Sequence, residues 1–285
     1  MKDVLIFSMP IALAALGESV VQRSGVLNIG LEGTMLVAAY GATAVSLATG
    51  SAVTGLLAGV ALGLIITLLF ALYTVKLRCD QVVTGTAINL LALGVTSALF
   101  RNKFGDSGNL LSLPKLPTLA FGLDMIPFLG IIVLASLIWV MRKSAWGLLV
   151  RASGDYPTAV TAAGFSVNTL RLQALVVGGI LGGLAGAYLA VGINGSFAEG
   201  MTAGRGFVAI ALVTFGRWSP GWVFAAALGM GYLESLQFEF QARGWNVPFQ
   251  LLLALPYLVA LIILVFVGKG ASAPRALGIA YKEER

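Results

Sequence analysis

The sequence predicts an all-α, polytopic membrane protein of about eight to ten transmembrane helices. Three observations lead there. Of the 285 residues, 58% are apolar and only 11% are charged, whereas a soluble domain carries roughly 25% charged residues. Mean hydropathy is +0.94. Apolar runs of the ~20 residues a helix needs to cross a bilayer recur along the chain.

Those runs fall at about 4–22, 29–49, 52–75, 82–100, 125–142, 169–192, 203–216, 221–240 and 247–267. The first has a single lysine beside Asp3 and a central Pro10, so it reads as a retained span rather than a signal peptide. The 203–216 run is too short to cross unaided and is expected to be broken or re-entrant. All nine belong to one transmembrane domain over 1–285, with no soluble module.

Lysine and arginine placement orients the spans. Arg23, Lys76, Arg78, Arg142, Lys143, Arg151, Arg171, Arg217, Lys269, Arg275, Lys282 and Arg285 share one set of span ends, and six other basic residues share the opposite set. The richer set is cytoplasmic. With nine spans the N-terminus is outside and the C-terminus inside. The net charge of +6 then reflects topology and does not point to nucleic acid.

Several chemistries are excluded. There is no histidine and one cysteine, Cys79, so neither a conventional catalytic triad nor an internal disulfide can form, and no metal site is expected. The string closest to a nucleotide-binding loop, VGKGAS, has glycine where Ser or Thr must follow the lysine. The chain is read as a non-enzyme that binds no cofactor.

One polar stretch interrupts the greasy pattern: RASGDYPTAVTAAGFSV, Arg151–Val167. Asp155 reads as an N-cap, Pro157 as a first-turn residue and Gly164 as a C-terminal cap, which predicts a short cytoplasmic helix over about 155–164. Tyr156, Val160 and Ala163 fall near one face. Two turns are unstable alone in water, so the rest of the chain or a partner must hold them. Tyr156, Thr158, Val160 and Thr161 are the expected docking contacts; an ordinary capped loop is the alternative.

Within the spans, Gly178, Gly182 and Gly186 recur every four residues, with Gly179 and Gly183 alongside, as close helix packing requires. Polar residues are costly in lipid and suggest a solute pathway. The candidates are Asn28 and Glu32, four apart; the stripe Gly85, Asn89 and Thr96; Glu234 with Gln237; and Glu18 with Gln22. Phe197, Phe207 or Tyr188 could pass a flat apolar group. The alternative for each polar residue is interhelical hydrogen bonding, averaging about 0.6 kcal/mol. The Gly-rich external loop Ile193–Gly206, with Asn194, Glu199 and Arg205, is a candidate seat for a binding protein, through charged rim contacts.

The order SVNTLRLQALVVGGILGGLAGAYLAVG then NGSFAEGMTAGRGFVAIALVTFGRWSP resembles the permease subunits of ABC importers in the ribose, branched-chain amino acid and simple-sugar group. SGVLNIGLEGTMLVAAYGA and QVVTGTAINLLALGVTS resemble its nucleoside branch, which works with basic-membrane-protein-type lipoproteins. The resemblance implies a type II importer fold in a bacterial cytoplasmic (inner) membrane. It implies a cytoplasmic coupling helix at Asp155–Gly164, a separate ATPase carrying ATP and magnesium, a second unlike permease chain, and an extracellular substrate-binding lipoprotein. It also implies nucleosides, purine nucleosides such as guanosine above all, as solutes. A simple sugar or riboflavin-like solute is the alternative within the group. An ion-coupled secondary carrier is the alternative outside it, but no inverted repeat is visible.

Overall fold

The computed structural model describes residues 2–105, 112–119, 122–242, 258 and 273–282. Among them are ten α-helices and no strand. In chain order they are α1 (Lys2–Arg23), α2 (Leu31–Thr49), α3 (Ala52–Ala71), α4 (Gln81–Phe104), α5 (Met125–Lys143), α6 (Ala145–Asp155), α7 (Pro157–Ala162), α8 (Val167–Tyr188), α9 (Arg205–Phe215) and α10 (Pro220–Ala242). π-helical turns extend α3 through Leu72–Lys76 and α8 through Leu189–Asn194. Six of these helices are long and apolar enough to span a membrane: α1, α2, extended α3, α4, α5 and extended α8. The chain is a multi-pass membrane protein. Apart from Leu258, the expected span at 247–267 lies outside the described residues.

The helix ends follow local chemistry. Asp80 caps α4 by accepting from the Val82 and Val83 N–H groups at 2.9 and 2.8 Å. Asp124 caps α5 through the Ile126 N–H at 2.9 Å, and Ser166 caps α8. At 203–216 the structure has only the 11-residue α9. That is about 16 Å at 1.5 Å per residue, half the thickness of a bilayer core.

α1 is the central pillar, with every residue from Ser8 to Gln22 buried. It packs against α8 and α10, and also meets α9, α5 and α6. A helix that is apolar all round belongs inside a bundle.

α8 closes the bundle with glycines on two faces, not one. A Cβ on Gly183 would fall 3.0 Å from the Gly59 carbonyl oxygen and the Val60 Cα, and one on Gly179 would meet Thr67. This face therefore lies directly on α3, whose own glycines Gly55, Gly59 and Gly63 are spaced by four. On the other face, Gly178 meets Val21 of α1, while Gly182 and Gly186 meet Leu31 and Met35 of α2. Lipid tails are as apolar as leucine, so close backbone approach and dispersion drive such contacts.

The polar stretch folds as two helices. α6 runs to Asp155, so Asp155 ends a helix instead of capping the next one. The reason is Pro157. Its ring disfavours the α conformation in the residue before it, and Tyr156 takes φ −142°, ψ 72°. Pro157 then opens α7. Its far end is a Schellman motif: the Phe165 N–H donates to the Val160 carbonyl at 3.1 Å and the Gly164 N–H to that of Thr161 at 2.9 Å. Gly164, at φ +83°, supplies the left-handed residue this cap needs.

Candidate functional site: a membrane furrow and a braced cytoplasmic helix

Two regions hold several of the residues singled out above. The first is a cavity of about 440 Å³ between α2, α4 and the segment leading into α9. Glu32, Asn89 and Phe207 line it, together with Thr86, Leu90, Leu93 and Thr202. Thr86 to Leu93 lie about 8–18 Å along α4 at 1.5 Å per residue, which puts the cavity near mid-membrane. A second hollow of about 670 Å³ shares Leu90, Leu93 and Gly200 with it and runs outward to Arg101 and Glu199. Together they form one furrow that follows α4 from Thr86 to Arg101.

The furrow's polar residues are firmly engaged. Glu32 accepts the Gly204 N–H on one oxygen at 2.8 Å and the Gly206 N–H on the other at 2.7 Å. It thereby caps α9, whose own N-cap, Gly204, has no side chain to do so. The Asn89 side chain accepts from the Gly33 N–H at 2.8 Å and donates to the Ile29 carbonyl at 2.9 Å, pinning α4 to the start of α2. Replacing Asn89 with leucine leaves both groups unpaired, at roughly 1–3 kcal/mol each. The expected outcome is a lowered thermal midpoint alongside lowered transport, read by unfolding of the purified protein. An unchanged midpoint would assign Asn89 to the solute instead.

The other pathway candidates lie elsewhere. Gly85 packs on the Ile29–Gly30 backbone. Thr96 is buried and bonds back to the Ala92 carbonyl at 2.7 Å. Asn28 is 1% exposed at the α1–α2 junction, where its N–H donates to Glu18 at 3.2 Å. Glu234 pairs with Arg205 at 3.5 Å, tying α10 to the start of α9. Gln22 of α1 is likewise occupied, accepting from the Trp218 indole at 2.7 Å. The Gln237 side chain lies outside the described residues. Of the aromatics, Phe207 is 46% exposed and faces the cavity. Tyr188 is fully buried and donates to Asp124 at 2.9 Å; Phe197 is buried among Tyr40 and Phe100. Neither lines the furrow.

The loop charges are also paired within the chain. Arg101 grips Glu199 at 2.7 and 2.9 Å. That guanidinium holds the Glu199 carboxyl below the usual carboxylate range. With Arg205 on Glu234, the two charges expected to steer a binding protein are already engaged. Sequence reading missed Thr86, Leu90, Leu93 and Ser97, one stripe of α4 at helical spacing that lines the furrow.

The second region is the polar stretch around α7. α7 exposes Thr158, Ala159 and Ala162, flanked by Tyr156 (52% exposed) and Phe165 (50%). Val160 is only 2% exposed and belongs to the core. Its place among the docking contacts is therefore corrected: it anchors α7 to its own chain. Thr161 is half-buried and bonds the Tyr281 hydroxyl at 2.7 Å, so it faces the returning tail.

That tail, 273–282, braces the helix. The Arg275 guanidinium lies 4.7 Å from the centre of the Tyr156 ring. The Ala276 N–H donates to the Gly154 carbonyl at 2.8 Å and the Gly278 N–H to that of Gly25 at 3.1 Å. Arg171, at the start of α8, donates to the carbonyls of Ser24 and Ile279 at 3.2 and 2.8 Å. Ser153 adds a bond to the Ser24 carbonyl at 3.2 Å. The ends of α1 and α6, the start of α8 and the tail thus form one hydrogen-bonded knot beneath α7.

The sequence that builds this bundle matches a known family. The model of the branched-chain amino acid transport system / permease component family fits residues 1–268. The chain belongs to that family. The permease is 33% identical to the guanosine ABC transporter permease protein NupQ of Bacillus subtilis (strain 168), over 97% of this chain and 94% of that one. It is 32% identical to the nucleoside ABC transporter permease protein NupC of Lactococcus lactis subsp. cremoris (strain MG1363), over 98% and 95%. It is also 27% identical to the glucose ABC transporter permease protein TsgB13 of Haloferax volcanii, over 80% of this permease and 66% of that protein. No solved structure matches the permease significantly.

Proposed function

We propose that this permease is one membrane half of an ATP-driven nucleoside importer in a bacterial cytoplasmic membrane, with its C-terminus inside. Near-complete alignment with two permeases named for guanosine and nucleosides carries the reading. A separate ATPase supplies ATP hydrolysis and holds its magnesium. A second, unlike permease chain completes the passage, and an extracellular lipoprotein delivers the solute.

The geometry fits the two tasks such a subunit performs. The furrow is wide enough for a small solute, within the ~300–1,000 Å³ of typical ligand sites. It is mostly apolar, with Thr86, Thr202 and Phe207 on its walls. Such walls give a nucleoside few strong contacts, as release to the cytoplasm requires. α7 is the coupling helix. When the ATPase closes, the groove around α7 shifts. The brace of tail, α6 and the α1 end prevents α7 from absorbing that shift by local unfolding, so the displacement passes to α1 and α8. A ligand-driven change needs different contact energies in its two states, and a rigidly held helix supplies them.

The test is uptake of labelled guanosine, ribose and glucose into proteoliposomes holding the complete complex, with and without internal ATP and with a proton uncoupler. ATP-dependent guanosine uptake, with both sugars excluded, is expected. Sugar uptake alone would retain the permease and discard the nucleoside. Uptake that ignores ATP and follows an ion gradient would overturn the importer.

A further inference from the structure

A cavity of about 510 Å³ lies where the end of α3 meets the start of α8. Its walls are Leu68, Ala71, Leu72, Val75 and Leu172, and its rim carries Lys76, Arg78, Asn168 and Thr169. Leu68, Leu72 and Leu172 are 39%, 42% and 41% exposed, as expected of a surface wetted by lipid. By basic-residue placement this is the cytoplasmic edge of the membrane.

The backbone places the two charges at the rim. The π-helical turn Leu72–Lys76 ends α3, and Arg78 follows in the left-handed region at φ +58°. No carboxylate lines the cavity. The nearest in sequence, Asp80, is engaged in capping α4. Among the described residues neither Lys76 nor Arg78 takes part in an ion pair.

We propose that this cavity binds an anionic phospholipid, its phosphate held by Lys76, Arg78 and the Asn168–Thr169 end of α8, and its acyl chains lying along Leu68, Leu72 and Leu172. Charge complementarity selects the occupant. An apolar groove with a purely cationic rim, at the level of the headgroups, suits a negative head on a hydrocarbon tail. Each basic residue near such a headgroup contributes favourably at the cytoplasmic leaflet. The polar donors at the start of a 22-residue helix add to this, because a helix N-terminus favours a negative group.

The test is native mass spectrometry of the complete complex, taken from nanodiscs of equal phosphatidylglycerol and phosphatidylcholine. Wild type is compared with the double variant Lys76→Gln/Arg78→Gln. A control pair, Arg142→Gln/Lys143→Gln, removes equal charge at the cytoplasmic end of α5. The expected result is retained phosphatidylglycerol in wild type and control, with its preference over phosphatidylcholine falling about thirtyfold in the Lys76/Arg78 variant. Thermal unfolding confirms that all three are folded; if the double variant fails to fold, Arg78→Gln alone is expected to weaken the preference. No preference in wild type, or equal loss in the control pair, would overturn the site. So would displacement of the retained lipid by millimolar inorganic phosphate, which would make the rim a free-anion site.

Discussion

Tyr156→Glu combined with Ala159→Glu is expected to abolish ATP-driven uptake while leaving the permease inserted and folded. Both positions are exposed at α7, so neither new carboxylate is buried. At position 156 the glutamate can pair with Arg275, which now stacks on the tyrosine ring, so the tail keeps a partner. What is lost is the surface offered to an ATPase groove. Two contacts of hot-spot size disrupted by charge and bulk, about 2 kcal/mol each, weaken docking by roughly three orders of magnitude. The companion variant is Val160→Asp. Val160 lies in the core, so this change buries a charge without a partner and should lower thermal stability by several kcal/mol. The two variants therefore fail differently: the first in co-purification of the ATPase at an unchanged midpoint, the second in the midpoint itself. Normal uptake by the Tyr156→Glu/Ala159→Glu protein would remove α7 from the coupling role.

The contrast between those two variants marks where sequence and structure part. Six of the expected spans were legible because each is a long apolar run; the structure shows local chemistry ending them, with Asp80 before α4, Asp124 before α5 and Ser166 before α8. The short α9 was legible from its length alone. The two-helix form of the cytoplasmic stretch was not. Asp155 and Tyr156 compete for the boundary, and the ring of Pro157 decides it by forcing the residue before it out of the helix. Nor could helical spacing say which side of α7 faces outward. Val160 and Tyr156 share a stripe, but the tail returns from more than a hundred residues away and Tyr281 bonds Thr161. The bundle beneath takes Val160 and leaves the small face free. In the membrane, Asn89 and Glu32 stood out as polar residues in lipid, yet their partners are backbone groups brought close only by folding. Leu90 and Leu93 gave the opposite signal, because a leucine facing a furrow reads like one facing lipid.

Glu32→Gln is expected to lower stability by about 2–4 kcal/mol and to reduce guanosine uptake with it. The carboxylate makes two charge-assisted bonds, to the Gly204 and Gly206 N–H groups, each worth roughly 1.5–3 kcal/mol. It also places a negative charge at the N-terminus of α9, where the helix dipole favours it. Glutamine has nearly the same shape but offers one oxygen and one NH₂ group. One backbone N–H then keeps its acceptor, while the other meets a donor. The approach is too close for the pair to adjust freely: a Cβ on Gly206 would already fall 2.6 Å from the Glu32 Cα. Loss of the cap loosens Gly200, Thr202, Ala203 and Phe207, which form one wall of the furrow, so transport falls through the wall's position. Glu32→Asp is shorter by one methylene and keeps the charge, and should lie between wild type and glutamine. Thermal unfolding and the concentration dependence of uptake separate this account from its rival. A carboxylate acting on the solute directly would raise KM in the glutamine variant at an unchanged midpoint. A cap lowers the midpoint first, and the deficit in uptake should shrink when the assay temperature is reduced.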